Sequence, residues 1–355
     1  IYNKYMKERF EKRILLTSEI LLKVTQIDEI KGLWRGGLSI NPQILNRLKK
    51  SVIITSTGAS TRIEGAKMDD EEIERFLKAL KSNPPENRDE EEVAGYANLL
   101  GRVFDNWKKL KLSESTVLLF HEILLHYSKK DNLHKGKYKI KENLVVAQNS
   151  KGEQAIIFKP TEAWLTKKEM DDVLYWTNNA LSEKKLHFLL VIANFIFEFL
   201  AIHPFTDGNG RLSRALINLL LLQTGYEYIS YISLEEIIEE RKDFYYASLR
   251  QTQKYHKTEH EDITAWLNFF LDTLLIQAKK AKELMDNDDP TKLLSGRQIE
   301  IYTLFSTTSL SVLDIKGKLA HIPEVTIKQA LSRLVSLKLI ERIGLGRSTR
   351  YVKSK

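Results

Sequence analysis

Apolar residues recur at spacings of three and four over much of this chain. The pattern runs through Glu72 to Leu80, Glu91 to Trp107, Ser113 to Tyr127 and Lys167 to Leu181, and it predicts amphipathic helices there. Start signals stand where such helices need them. Asp69-Asp70 precede Glu71-Glu72, and Ser113-Glu114-Ser115 lead into an apolar run. Asn83-Pro84-Pro85 stops a helix. Leu186 to Ile202 is the most apolar run, although it carries His187, Asn194 and Glu198. It falls short of the ~20 residues of a membrane span, so it reads as a helix buried in a core.

Two stretches depart from the helical period. Tyr138 to Val146 and Gln154 to Phe158 are strand-like and flank a polar turn, Gln148-Asn149-Ser150-Lys151-Gly152. A single hairpin among helices cannot bury both faces, so it is expected to lie as a flap over something. Glu283 to Asp289, followed by Pro290, reads as a linker after a long helix. Beyond it, Gly296 to Phe305, Val312 to Leu319 and Val325 to Leu337 read as three helices. Leu339 to Val352 reads as two short strands around Gly344-Leu345-Gly346. Three helices and a hairpin give a winged helix-turn-helix pattern. The expected fold is mainly α, in four parts: a helical segment over 1–112, a core over 113–283, a linker over 284–294 and a winged helix over 295–355.

Composition narrows the classes. The 355 residues are 43% hydrophobic and 29% charged, as in ordinary globular proteins. With no cysteine, disulfides and thiolate metal sites are excluded, which fits a reducing, cytoplasmic setting. Ile1 to Arg13 lacks the basic-then-apolar order of a signal peptide. The chain does not begin with Met, so trimming at the front is expected. The net charge of +8 is uneven. Residues 295–355 hold 11 Lys+Arg against 4 Asp+Glu, whereas the rest holds 44 against 43. A near-neutral body therefore carries a basic tail.

The candidate chemistry sits in His203-Pro204-Phe205-Thr206-Asp207-Gly208-Asn209-Gly210-Arg211. Pro204 breaks the buried helix, and Gly208-Asn209-Gly210 opens a new one that Gly225 closes. Small residues at a helix start leave backbone N–H groups unobstructed, which makes an anion site. Arg211 and Arg214, three apart, project from one face. Cations at a helix N-terminus oppose its dipole, so the pair calls for an anion such as a polyphosphate. Asp207 beside phosphates suits Mg²⁺, and His203 suits a general base for an incoming hydroxyl. Those parts describe attack on phosphorus. A dinucleotide fingerprint is excluded, because its third glycine is missing and a helix precedes the motif where a strand is required.

This string resembles the signature of the Fic family, His-Pro-Phe-x-Asp/Glu-Gly-Asn-Gly/Lys-Arg, at every position, and Arg214 matches a second arginine common in that family. With the flap upstream and Tyr245-Tyr246 downstream, the resemblance covers about Ser113 to Ile276. It implies an adenylyltransferase that moves AMP from ATP to a Ser, Thr or Tyr hydroxyl of a protein. In that role His203 is the base, Asp207 holds Mg²⁺, and Gly208, Asn209 and Gly210 cradle the phosphates. Arg211 and Arg214 bind phosphates, Phe205 anchors the loop, and the flap holds the target by strand addition. The alternatives are removal of AMP, transfer of another nucleotide or phosphate-bearing group, and a DNA-binding regulator whose core senses nucleotide.

Ser60-Thr61-Arg62-Ile63-Glu64-Gly65 resembles the inhibitory motif of the same family, Ser/Thr-x-x-x-Glu-Gly/Asn. The resemblance implies that Glu64 pairs with Arg214 where the γ-phosphate belongs, with Ser60 and Gly65 completing the motif. A carboxylate is a natural phosphate mimic for arginine. In the tail, Glu324 to Leu337 is the expected recognition helix, offering Thr326, Lys328, Gln329 and Arg333 outward, with Arg342, Arg347 and Arg350 lining the wing. DNA and a second copy of the chain are thus among the expected partners, with ATP and a protein substrate; a membrane is not.

Overall fold

The computed structural model describes residues 8–36, 42–148, 154–286, 294–306, 308–344 and 346–354. In chain order the helices are α1 (Ser18–Gly36), α2 (Pro42–Ile63), α3 (Asp70–Ala79), α4 (Arg88–Asn106) and α5 (Glu114–Leu124). A hairpin of β1 (Val145–Gln148) and β2 (Gln154–Phe158) follows, then α6 (Ala163–Glu183), α7 (Phe188–Ile202) and α8 (Asn209–Gln223). The remainder is α9 (Leu234–Glu240), α10 (Lys242–Gln253), α11 (Thr264–Asp286), α12 (Gly296–Tyr302), α13 (Val312–Lys318), α14 (Glu324–Ser336) and a second hairpin, β3 (Ile340–Ile343) with β4 (Arg350–Lys353).

The core is organised by two helices without a solvent face. Every residue from Leu189 to Ile202 in α7 and from Arg211 to Leu222 in α8 is buried. Such helices are stable only when wrapped on all sides. Accordingly α6 packs on α7, α4 on α8, and α2 on α4 and α9, while α1 lies along α11. The helix starts expected from the sequence carry their caps. Asp69 and Glu72 form a reciprocal capping box, and Ser113 accepts from the Thr116 N–H. Gly225, at φ 93°, ends α8, with the Tyr226 and Gly225 N–H groups donating to Leu221 and Leu222 carbonyls. No helix among the described residues is long and apolar enough to cross a membrane.

Three expectations need correction. The strand expected from Tyr138 begins only at Val145, because the preceding residues are hydrogen-bonded to the loop after α7 instead of to a partner strand. The turn residues 149–153 lie outside the described residues, as do 287–293 of the expected linker. The start of that linker is helix: α11 continues to Asp286, and Leu284 is fully buried.

The third correction concerns Arg333. It was expected outward on α14 but is only 4% exposed. Its Nη1 donates to the Ser51 hydroxyl and to Thr55 Oγ1 (3.3 Å) on α2. Ser51 and Ser336 share a 2.9 Å hydroxyl pair, Arg342 ion-pairs with Glu71, and the Tyr351 hydroxyl donates to Glu71 Oε2 at 2.9 Å. The polar face of α14 thus meets the body. Lys328 pairs with Glu324 (3.2 Å), and Arg350 binds Asp314 and Ser309. The Arg347 side chain lies outside the described residues. Arg333→Ala is expected to cost about 1–3 kcal/mol, because two hydroxyls lose a charged donor in a buried interface. A lowered denaturation midpoint would register it; an unchanged midpoint would show that the contact contributes nothing to stability.

Candidate active site

The site is built where α7 stops and α8 starts. His203 caps α7 at φ 50° and ψ 61°, a left-handed conformation for a residue with a Cβ that costs about 1–3 kcal/mol and persists only when its surroundings impose it. Pro204 and the fully buried Phe205 follow. Gly208, at φ 81°, caps the start of α8. Asn209 holds the loop shut: its Oδ1 accepts from the Phe205 N–H at 3.0 Å and its Nδ2 donates to the Phe205 carbonyl at 2.7 Å. Its side chain, expected at an anion, is therefore committed to the loop backbone.

His203 is pushed down to about 4 from an ordinary 6.5, first by burial and then by the charge of Lys139. It is a neutral imidazole at pH 7. Asp207 is held below the usual carboxylate range: burial opposes its ionisation, but Arg211, the Gly208 N–H and Arg88 outweigh it. Its Oδ1 accepts from Gly208 N at 2.6 Å and Arg211 Nη2 at 3.2 Å, and its Oδ2 lies 3.5 Å from Arg88. A cavity of about 170 Å³ opens beside Asp207 and Arg211. One ionised carboxylate facing such a space, next to a phosphate-type anion site, is a donor set that suits Mg²⁺ with phosphate and water oxygens as the other ligands.

Glu64, from the turn after α2, reaches the start of α8. Its Oε1 accepts from Arg214 Nη2 at 2.8 Å. Arg214 is fully buried and also donates to the Ser60 hydroxyl (2.8 Å) and the Ser60 carbonyl (2.9 Å). A Cβ at Gly210 would run into the Glu64 carboxylate, so only glycine lets an anion come this close to the helix start. Gly65, at φ 108°, makes the turn that carries Glu64 there. Among the described residues, Arg214 Nη1 and Arg211 Nε are buried without a hydrogen-bond partner. Buried guanidinium groups are rarely left so, and their free N–H groups remain available to an acceptor.

Four contributors were missed in the sequence. His121 stacks on Phe205 at 3.8 Å between ring centroids. Burial pushes it down to about 4, its Nδ1 accepts from the Gly136 N–H, and its Nε2 therefore donates to the Asp207 carbonyl at 3.1 Å. Glu92 lies 3.2 Å from Arg211 Nη1. Lys139 and Asn143 bind the carbonyls of the loop. A buried histidine in an apolar helix and a lysine in an alternating segment carry no local signal of these contacts. Elsewhere, Glu198, His256 and Glu261 converge in a ligand-like group, but Arg9 and Arg13 fill it with ion pairs, and it tethers the segment before α1 to the core.

Residues 111–221 match the sequence model of the Fic/DOC family. The chain is similar to a Fido domain-containing protein of Dictyostelium discoideum, with 39% identity over 19% of this chain and 43% of that protein. It is also similar to the protein adenylyltransferase Fic of Drosophila mojavensis, with 36% identity over 21% of this chain and 12% of that protein. The chain thus spans less than half the length of these relatives. Its fold is similar to the crystal structure of a Fic family protein from Desulfovibrio desulfuricans G20, at 22% identity and a TM-score of 0.61, covering 96% of this chain and 97% of that one. Residues 111–221 are thus a Fic/DOC family domain.

Proposed function

We propose that the chain is a self-inhibited protein adenylyltransferase that moves AMP from ATP to a protein hydroxyl. One observation carries this reading: the chain lays its own carboxylate, Glu64, on Arg214 and against Gly210, at the start of α8. An anion position beside a neutral histidine is what transfer to a hydroxyl requires. In this reading His203 takes the proton of a Ser, Thr or Tyr hydroxyl as its oxygen bonds to the α-phosphorus. The bond to the bridging oxygen breaks, and pyrophosphate leaves. Arg211 and Arg214 hold the phosphates with the donors that have no partner among the described residues, and the N–H groups of the first turn of α8 complete the cradle. Asp207 would hold Mg²⁺, which supplies charge neutralisation of the phosphates when bound. The β1–β2 hairpin would hold the target as an added strand.

The 295–355 unit reads as a winged helix. Its Arg333, Arg342 and Tyr351 contacts on α2 and α3 favour an internal docking role over DNA recognition.

Nucleotide choice is testable by intact-mass measurement of Glu64→Gly chain incubated with Mg²⁺ and ATP, GTP, CTP or UTP separately. An adenylyl adduct from ATP alone is expected; an adduct from another nucleotide would replace AMP as the transferred group. The pH profile is a further expected outcome. Because burial and Lys139 keep His203 near 4, its base form persists well below neutrality. Transfer at saturating nucleotide is expected to lose no base-dependent rate between pH 8 and about 5, and to fall only as His203 protonates near about 4. Half-loss at an ordinary histidine value would contradict the assigned base or its environment.

A further inference from the structure

Two residues upstream of the hairpin reach four consecutive carbonyls where α7 runs into the signature loop. Lys139 Nζ donates to the Ile202 carbonyl at 3.0 Å, and Asn143 Nδ2 to the His203 carbonyl at 3.2 Å. The Lys139 backbone N–H donates to the Pro204 carbonyl at 2.9 Å, and Asn143 Nδ2 to the Phe205 carbonyl at 3.0 Å. Lys139 Nζ also donates to Asn143 Oδ1 at 2.7 Å, locking the two together. Lys139 is 4% exposed.

Burying a lysine is costly unless its donors are used and its charge is answered. The C-terminus of α7 answers it, since the last carbonyls of a helix lack partners and carry its negative end. The same carbonyls belong to the turn in which His203 sits at positive φ. That turn has no regular secondary structure to enforce it, and Pro204 has no N–H to contribute.

We propose that Lys139 and Asn143 are positioning residues for His203, holding the loop in the left-handed turn from which the histidine acts. This rests on the reading of His203 as the base. Neither residue needs to touch substrate; both act through the loop backbone. Asn143 stands two residues before β1, so the same clasp fastens the base of the hairpin to the catalytic loop, and target docking and base placement share one anchor.

Charged groups surround the clasp. Lys139 is lowered to about 8, first by burial and also by the charge of Lys257, against the opposing pull of Glu142 and Glu169. His203 faces Lys139, Glu64 and Asp207. Losing the Lys139 charge removes a cation from the histidine's surroundings, so its pKa should move up towards the ordinary 6.5.

The test uses the full chain carrying Glu64→Gly, alone and combined with Lys139→Met, Lys139→Arg or Asn143→Ala. Kinetics with ATP are read together with the His203 ring titration by NMR. Lys139→Met and Asn143→Ala should lower kcat about 10- to 100-fold with KM for ATP within about twofold, the pattern of a lost transition-state arrangement. Lys139→Arg should keep most of the rate, and Lys139→Met should raise the His203 pKa. An unchanged kcat in both loss variants would overturn the proposal, as would a static His203 titration in Lys139→Met. A fall in kcat matched by a rise in KM would do the same, since it marks general damage. If Glu64→Gly alone transfers nothing, the adenylyltransferase reading fails. The ring titration and the exchange rates of the loop amides then still decide whether the clasp holds His203.

Discussion

Replacing Glu64 by Gly is expected to raise AMP transfer roughly 10- to 100-fold at saturating ATP. The estimate follows from what is removed: one charge-assisted hydrogen bond from Arg214, worth about 1.5–3 kcal/mol, that competes with phosphate for the same guanidinium. The Glu64 side chain is 32% exposed while Arg214 is at 1%, so the carboxylate can leave and the arginine cannot. Removal has a second consequence. Arg214 keeps its bonds to Ser60 but loses its counter-charge, and a buried unpaired cation is unfavourable by several kcal/mol. The variant should therefore have a lower denaturation midpoint that ATP with Mg²⁺ restores more strongly than in the unaltered chain. Rate assays and ligand-dependent melting together check this. An unchanged rate with unchanged melting would mean that Glu64 does not restrain the site.

Replacing His203 by Ala in the Glu64→Gly chain is expected to lower transfer by about 10²- to 10⁴-fold, the usual contribution of a positioned general base. ATP binding should change little, because the proposed phosphate donors are Arg211, Arg214 and the start of α8. The loop itself is closed by Asn209 on Phe205 and by Asn143, so truncating the imidazole leaves the anion site in place. Single-turnover rates and equilibrium ATP binding separate the two effects. A parallel loss of binding would show that His203 holds the loop and is not the base.

Much of this site was legible because it is local in sequence. Nine consecutive residues set the loop, Gly208 and Gly210 mark where a Cβ is excluded, and helix starts declare themselves through Asp69 and Ser113. The pairing of Glu64 with Arg214 spans 150 positions, and only the family resemblance brought the two together. Physical patterning was weaker where one signal fits two environments. Tyr138 to Leu144 alternates as a strand does, yet Lys139 and Asn143 use their polar groups on the loop after α7 instead of a partner strand. His121 sits in an apolar helix and looks like any core histidine, although it stacks on Phe205 and bonds the Asp207 carbonyl. On α14, polar spacing marked Arg333 as outward. A polar face meets another protein surface as readily as it meets water, and nothing local distinguishes the two.

In the proposed reaction this site moves the α-phosphoryl of ATP with its adenosine, and Glu64 restrains it. The most direct measurement incubates the chain with Mg²⁺ and ATP labelled at the α- or the γ-phosphate, then reads label retained on denatured protein. Unaltered chain, Glu64→Gly, and Glu64→Gly with His203→Ala are compared. Strong α-label confined to Glu64→Gly, with γ-label absent throughout, is the predicted result. Label from the γ-position, or no label from either position in Glu64→Gly, would contradict AMP transfer at this site.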